Sequence, residues 1–138
     1  DERSRKAYLK EIILQQQDLK RQIDKARSGV DTWNHRRRLA QGAGNERLEQ
    51  EAMMRVEGIQ KVLNRLVHQE RAAQALREKF ASGAPLSAQD RSNAAGLVSS
   101  EASATIERLS RAGDSGTFER LEIEDALDKL KRRMGRDD

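Results

Sequence analysis

The chain has 138 residues, of which 36% are hydrophobic, 36% are charged and only 3% are aromatic. Equal shares of apolar and charged side chains leave too little material for a thick globular core, and the scarcity of β-branched and aromatic residues disfavours strands. This composition is typical of long helices and coiled coils, and it nearly excludes a β-sandwich or a doubly wound α/β enzyme.

The formal net charge is +4, from 27 basic and 23 acidic residues. This excess is too small to indicate nucleic acid, and no nucleic-acid partner is expected. Residues 1–40 hold 11 basic and 6 acidic residues, so the excess lies in the first part of the chain. The sequence contains no cysteine, which excludes disulfides and cysteine-based metal sites, and no apolar run approaches the length of a transmembrane helix.

The first predicted element is a helix over about residues 3–41. Apolar residues recur there at alternating steps of three and four, as in a coiled-coil seam. A helix of this length would extend roughly 60 Å, which is too long for a compact domain of this size. The predicted seam comprises Leu9, Ile12, Gln16, Leu19, Ile23, Ala26, Val30, Trp33, Arg37 and Ala40.

A turn at 41–46 is predicted next, because glycine and asparagine tolerate the left-handed conformation that ends a helix. A second seam follows directly, so the two helices should form an antiparallel hairpin over residues 1–80. We interpret the polar seam positions Gln16, Arg37, Arg55 and Gln69 as markers of register. The second seam comprises Leu48, Ala52, Arg55, Ile59, Val62, Leu66, Gln69, Ala73, Leu76 and Phe80.

The C-terminal part is predicted to hold two shorter helices on flexible joints. Residues 81–90 contain the single proline and read as a linker, with Ser87 and Asp90 spaced as in a helix capping box. A third helix is predicted over about 88–112, and it begins at the end of the linker. The rest of the C-terminal region 91–138 would hold a hinge at 113–116 and a final helix over 117–134. The predicted fold class is therefore all-α, a long hairpin followed by two short helices.

Two stretches of this sequence resemble one protein family. The hairpin tip and the segment from Phe118 to Lys131 are similar to the tip and the closing segment of the phage shock protein A and vesicle-inducing-protein-in-plastids family, bacterial relatives of ESCRT-III. The sequence departs from the family pattern at Arg37 and Glu49, where alanine is more usual. The matching tip residues are Trp33, Leu39, Ala40, Gly44, Asn45, Glu46, Leu48, Glu51 and Ala52.

The resemblance implies a non-enzymatic, cytoplasmic scaffold without a cofactor. Family members polymerise on the inner or thylakoid membrane under stress, so the expected partners are further copies of the chain, a regulatory protein and an anionic membrane surface. Membrane contact would be made through an amphipathic helix in residues before Asp1. The family's C-terminal helix packs across a neighbouring subunit, which assigns an assembly role to Phe118, Leu121, Leu127 and Leu130.

Several interpretations stay open on sequence alone. Trp33 fits either a contact between helices or a hot spot for assembly. The basic run of Arg36, Arg37 and Arg38 fits a solvated helix face, or contact with acidic lipid headgroups or an acidic partner. The resemblance also implies an alternative function, in which the hairpin is a coiled-coil module that sequesters a protein partner such as a transcriptional activator ATPase. A further alternative is a coiled-coil adaptor unrelated to the family. His35 and His68 fall too far apart on the hairpin to share a metal ion.

Overall fold

Five helices make up the computed structural model, which describes residues 2–95, 101–111 and 115–136. They are α1 (Glu2–Gly42), α2 (Glu46–Ser82), α3 (Ala88–Ala95), α4 (Glu101–Arg111) and α5 (Ser115–Arg136). Within these ranges no residue lies in a β-strand, which confirms the all-α fold class. None of the five helices combines the length and the apolar character needed to cross a membrane.

The two long helices pack against each other as the predicted antiparallel hairpin. Near its open end Tyr8 of α1 contacts Phe80 of α2, with ring centroids 5.4 Å apart. Near its closed end the guanidinium of Arg55 in α2 lies 5.8 Å from the ring centroid of Trp33 in α1. Every residue of the two predicted seams is buried or half-buried, so the three-and-four spacing identified the inner face of both helices correctly.

Local capping interactions end α2 and start α3. Gly83 takes a left-handed φ of 74°, and its amide and that of Ala84 bond back to the last turn of α2. Ser87 and Asp90 then form the predicted capping box. The Asp90 amide donates to the Ser87 hydroxyl at 3.1 Å, and the Ser87 amide donates to the Asp90 carboxylate at 2.9 Å. Lys79 of α2 binds the same carboxylate at 2.6 Å, which ties α3 to the hairpin.

This arrangement makes the attachment of α3 sensitive to acid. The hydrogen bond from Lys79, together with that from the Ser87 amide, lowers the pKa of Asp90 to about 2. Because the pKa is lower in the folded chain, the carboxylate stabilises α3 above pH ~4, its titration range when unfolded, and this contribution is lost as the pH falls through about 2. We expect an NMR titration of Asp90 to give a midpoint near 2, and Lys79→Gln to raise it.

The neighbouring carboxylate Glu78 provides the control for this titration. Glu78 directly precedes Lys79 in α2, and its carboxylate accepts a hydrogen bond from the Gln74 amide at 3.2 Å. Glu78→Gln should therefore leave the Asp90 midpoint unchanged. A midpoint near pH 4 in the unmodified protein would show that Lys79 does not hold the Asp90 carboxylate in solution.

Helix α4 lies across both arms of the hairpin. Ala102 and Ile106 are buried in the common core, and Lys25 of α1 binds Glu107 of α4 at 2.9 Å. Gly58 of α2 permits the close approach of Leu109, because a Cβ at this glycine would lie 3.0 Å from a Leu109 methyl group. Where a single helix over 88–112 is predicted, the structure has α3 and α4, and residues 96–100 between them lie outside the described ranges.

Helix α5 begins earlier than predicted. Ser115 and Gly116 were expected in a hinge, but they form the first turn of α5, and residues 113 and 114 of that predicted hinge lie outside the described ranges. Helix α5 runs in the same direction as α1, since Phe118 contacts Trp33 and the next turn places Glu122 against Arg36. The helix therefore leads toward the hairpin tip and beyond it.

Candidate functional site at the hairpin tip

The turn of the hairpin is built by two adjacent residues with different tasks. Gly44 adopts a left-handed φ of 70°, and the amides of Gly44 and Asn45 bond to the carbonyls of Gln41 and Ala40. This is the Schellman arrangement that closes a helix C-terminus. Asn45 is also the N-cap of α2, since its side-chain oxygen accepts a hydrogen bond from the Leu48 amide at 3.1 Å. One helix therefore ends and the next begins within three residues.

Most residues of the predicted tip motif pack inside the hairpin. Ala40, Leu48 and Ala52 are completely buried. The small side chains of the two alanines let the two helices approach closely beside the turn. Leu39, Asn45 and Glu51 are half-buried, whereas Gly44 and Glu46 are exposed. The motif is thus largely a folding device for the turn, with Glu46 placed in the first turn of α2 where a negative charge complements the helix dipole.

An aromatic cluster joins α5 to the tip, and we call its members Trp33, Arg36, Phe118 and Glu122 the tip cluster. Trp33 is 1% exposed and Phe118 is 0% exposed, and their rings meet edge to face with centroids 5.2 Å apart. The Arg36 guanidinium lies 4.8 Å from the Trp33 centroid and 5.8 Å from the Phe118 centroid. Its Nε donates to the Glu122 carboxylate at 2.6 Å. Stacking and ion pairing therefore act on the same side chain.

The basic run beside the tip has one member committed within the chain. For Arg36 the sequence left open a solvated helix face or contact with an acidic lipid or an acidic partner, and in the structure its side chain pairs with Glu122 of the same chain. Arg37 is half-buried, and its Nε is a buried donor without a hydrogen-bond acceptor among the described residues. Arg38 is exposed. Of the three arginines, Arg38 therefore presents the most accessible charge to an anionic surface.

The four predicted assembly residues lie on two different faces of α5. Phe118 and Leu121 face the hairpin, where Phe118 is fully buried and Leu121 packs against the core. Phe118 therefore contacts Trp33 and Arg36 of its own chain, and its docking on a neighbouring subunit stays a prediction. Leu127 and Leu130 lie on the opposite face and are about half exposed. The role of these two residues in assembly stays a prediction.

Two features of this site were missing from the sequence predictions. Ile123 shares the exposed face with Leu127 and Leu130, and its spacing of four residues from Leu127 was a signal that could have found it. The pairing of Arg36 with Glu122 had no comparable signal, because the two residues are 86 positions apart.

Within the tip cluster Arg36 and Glu122 form an ion pair, and across the described ranges no three His, Asp or Glu side chains are grouped so that they could hold a metal ion. Comparisons with protein-family models, with curated proteins and with solved structures find no match to this chain. The case for a function therefore rests on the geometry of the tip and of α5.

Proposed function

We propose that this chain is a self-assembling helical scaffold that works at a membrane surface, as the resemblance to the phage shock protein A family implies. Each subunit would contribute its hairpin as a rod of roughly 60 Å. Polymer growth through contacts between rods would impose its curvature on the attached lipid, and this activity requires neither a catalytic residue nor a cofactor.

The observation that carries this proposal is the tip cluster. It joins a separate helix to the hairpin through a compact contact between Phe118 and Trp33, supported by the ion pair between Arg36 and Glu122. Because every copy carries both halves of this contact, α5 of one subunit can dock on the hairpin of the next with the same atoms. Exchange of an identical element between copies is a low-cost route to assembly.

A head-to-tail exchange of this kind does not close on itself unless the rotation between subunits completes a ring. Open chains of subunits or closed rings are the expected products, depending on that rotation. The resemblance likewise implies polymers in the form of rings, rods or tubes. The same contact then explains why Phe118 is both enclosed in the isolated chain and assigned to assembly by the family pattern.

The test is a cross-linking experiment at the tip cluster. The sequence contains no cysteine, so the introduced cysteines are the sole thiols that can react. A double variant, Arg36→Cys with Glu122→Cys, is treated with a short bismaleimide over a range of protein concentrations. We expect a ladder of covalent oligomers that grows with concentration, and light scattering and electron microscopy of the unmodified protein should show assemblies. Each single cysteine variant is the control, since neither can extend a ladder beyond a dimer.

The opposite result would contradict the scaffold proposal. If the double variant gives only an internally cross-linked monomer, and the unmodified protein scatters as a monomer at every concentration, the scaffold proposal is wrong. Phe118→Asp provides a second test, because it should abolish assembly while far-UV circular dichroism still reports the helical hairpin.

A further inference from the structure

Exposed apolar side chains are concentrated on one helix. Among the described residues seven large hydrophobic side chains are exposed, and four of them belong to α5. The other three, Tyr8, Leu14 and Met54, are scattered along the hairpin. The four residues of α5, which we call the α5 stripe, are Ile123, Leu127, Leu130 and Met134, with exposures of 61%, 49%, 50% and 63%.

The α5 stripe forms a single line on one side of the helix. Its members follow one another at steps of four, three and four residues, which places them on one face over a length of roughly 16 Å. This face is opposite to Phe118 and Leu121, which attach α5 to the hairpin. Every residue from Ala126 to Gly135 is exposed, so this half of the helix is not covered by the other residues that the structure describes.

Basic residues border the stripe. Lys131 and Arg133 lie about 70–90° to either side of it on the helix surface, given 3.6 residues per turn. Residues 126–136, which hold three of the four stripe residues, contain five basic residues and one acidic residue, a net charge of +4, whereas the acidic residues Glu124 and Asp125 follow directly after Ile123. Lys129 is bound by Asp125 at 3.1 Å, while Lys131 and Arg133 are exposed beside the stripe. Arg38 adds a further exposed cation at the neighbouring hairpin tip.

We infer that residues 123–134 of α5 form a membrane-surface helix that inserts the α5 stripe among anionic phospholipids while Lys131 and Arg133 bind their headgroups. An apolar line flanked by cations, on a helix that lies in the plane of the interface, is the pattern that anionic bilayers recognise. The inference deepens the proposed function, on which it rests, by placing a lipid contact within this chain rather than in residues before Asp1.

A second copy of the chain is a poorer occupant of this surface. Four half-exposed side chains offer a few hundred Å², whereas a stable protein–protein interface needs about 800 Å² from each partner. Pairing two such segments would also bring their cationic flanks together. A bilayer has no such area requirement. Each apolar side chain that enters it contributes its own free energy of transfer, and each cation gains an anionic headgroup.

The experiment measures binding of the full chain to vesicles by flotation. Mixed vesicles of phosphatidylcholine and phosphatidylglycerol in equal parts are compared with pure phosphatidylcholine vesicles. We expect at least tenfold stronger binding to the mixed vesicles, weakened by salt because the headgroup contacts are electrostatic. The variant Leu127→Gln with Leu130→Gln should lose tenfold or more, and Lys131→Gln with Arg133→Gln should lose the preference for the anionic lipid.

The matched control changes the same residue classes elsewhere. Leu14→Gln with Met54→Gln removes two exposed apolar side chains from the hairpin and should leave vesicle binding within twofold. All substituted positions are exposed and glutamine is a good helix former, so circular dichroism should report an unchanged helix content for each variant. Equal vesicle binding by the stripe variant and the unmodified protein would overturn the inference, and so would equal binding to both kinds of vesicle.

Assembly measured without lipid separates this inference from the proposed function. The stripe variant should form the same cross-linked ladder as the unmodified protein, because the tip cluster lies on the other face of α5. Loss of the ladder in that variant, with vesicle binding retained, would assign the stripe to a second copy and overturn the lipid inference. Vesicle binding that depends on the stripe in a chain that never assembles would support the inference and overturn only the scaffold.

Discussion

Trp33→Ala is expected to destabilise the protein by about 3–5 kcal/mol, the usual cost of removing a buried large aromatic side chain. Trp33 is 1% exposed and contacts three different groups: the Phe118 ring of α5, the Arg36 guanidinium and the Arg55 guanidinium of α2. The substitution therefore leaves a cavity between the two helices of the hairpin and removes the ring that Phe118 and Arg36 contact. Urea denaturation followed by far-UV circular dichroism measures the loss.

A second readout distinguishes a local effect from a general one. Hydrogen exchange should accelerate in α5 more than in the open end of the hairpin, because Phe118 loses its partner while the contact between Tyr8 and Phe80 is unchanged. Tyr8→Ala is the matched control. Tyr8 is exposed, so its removal should cost no more than about 0.5–1.5 kcal/mol, the range of an aromatic pair. A loss of stability below about 3 kcal/mol for Trp33→Ala would contradict the central place of this side chain.

The hairpin could be predicted from sequence because its determinants are local or periodic. The left-handed cap needed glycine at position 44, the N-cap needed a side chain such as that of Asn45, and both requirements are visible within three residues. The inner face of each long helix has ten positions at the coiled-coil spacing, so single polar residues among them do not obscure the pattern. The Ser87 and Asp90 capping box was predictable for the same reason.

The placement of the short helices could not be predicted in this way. Periodicity identifies an apolar face but does not say which other face covers it. Phe118 fits a contact with a neighbour as well as one with its own hairpin, and the distinction depends on Trp33 and Arg36, far away in sequence. Leu109 likewise fits a generic apolar position until Gly58 is seen to leave the space that its methyl groups occupy.

The candidate site was therefore only partly recoverable. The sequence indicated that α5 carries apolar residues for a contact outside the hairpin, and it named Leu127 and Leu130, which are exposed. It did not separate these two residues from Phe118 and Leu121, because the four belong to one continuous apolar pattern. Only the docking of α5 on the tip divides the helix into a side that is covered and a side that is free.

Gln16→Ala is expected to cost about 1–3 kcal/mol, the range for disrupting a buried hydrogen-bonded group. Gln16 is 1% exposed in the middle of the α1 seam. Its amide nitrogen donates to the Glu70 carboxylate at 3.0 Å and to the Gln74 carbonyl at 2.5 Å, and its oxygen accepts from Arg77 at 3.1 Å. Three residues of α2 are thus fixed against one residue of α1, and urea denaturation measures what this layer contributes.

Gln16→Leu tests whether the layer specifies register rather than stability. Leucine fills the same space, and the former partners can turn to water because Gln74 and Arg77 are exposed and Glu70 is only half-buried. We expect Gln16→Leu to cost less than Gln16→Ala, and Gln17→Ala, at an exposed position, to cost almost nothing. A polar residue in a seam opposes other alignments because a shifted partner would leave it buried without hydrogen bonds. The leucine variant should therefore populate additional oligomeric states in light scattering, and a homogeneous population identical to that of the unmodified protein would show that apolar packing alone sets the register.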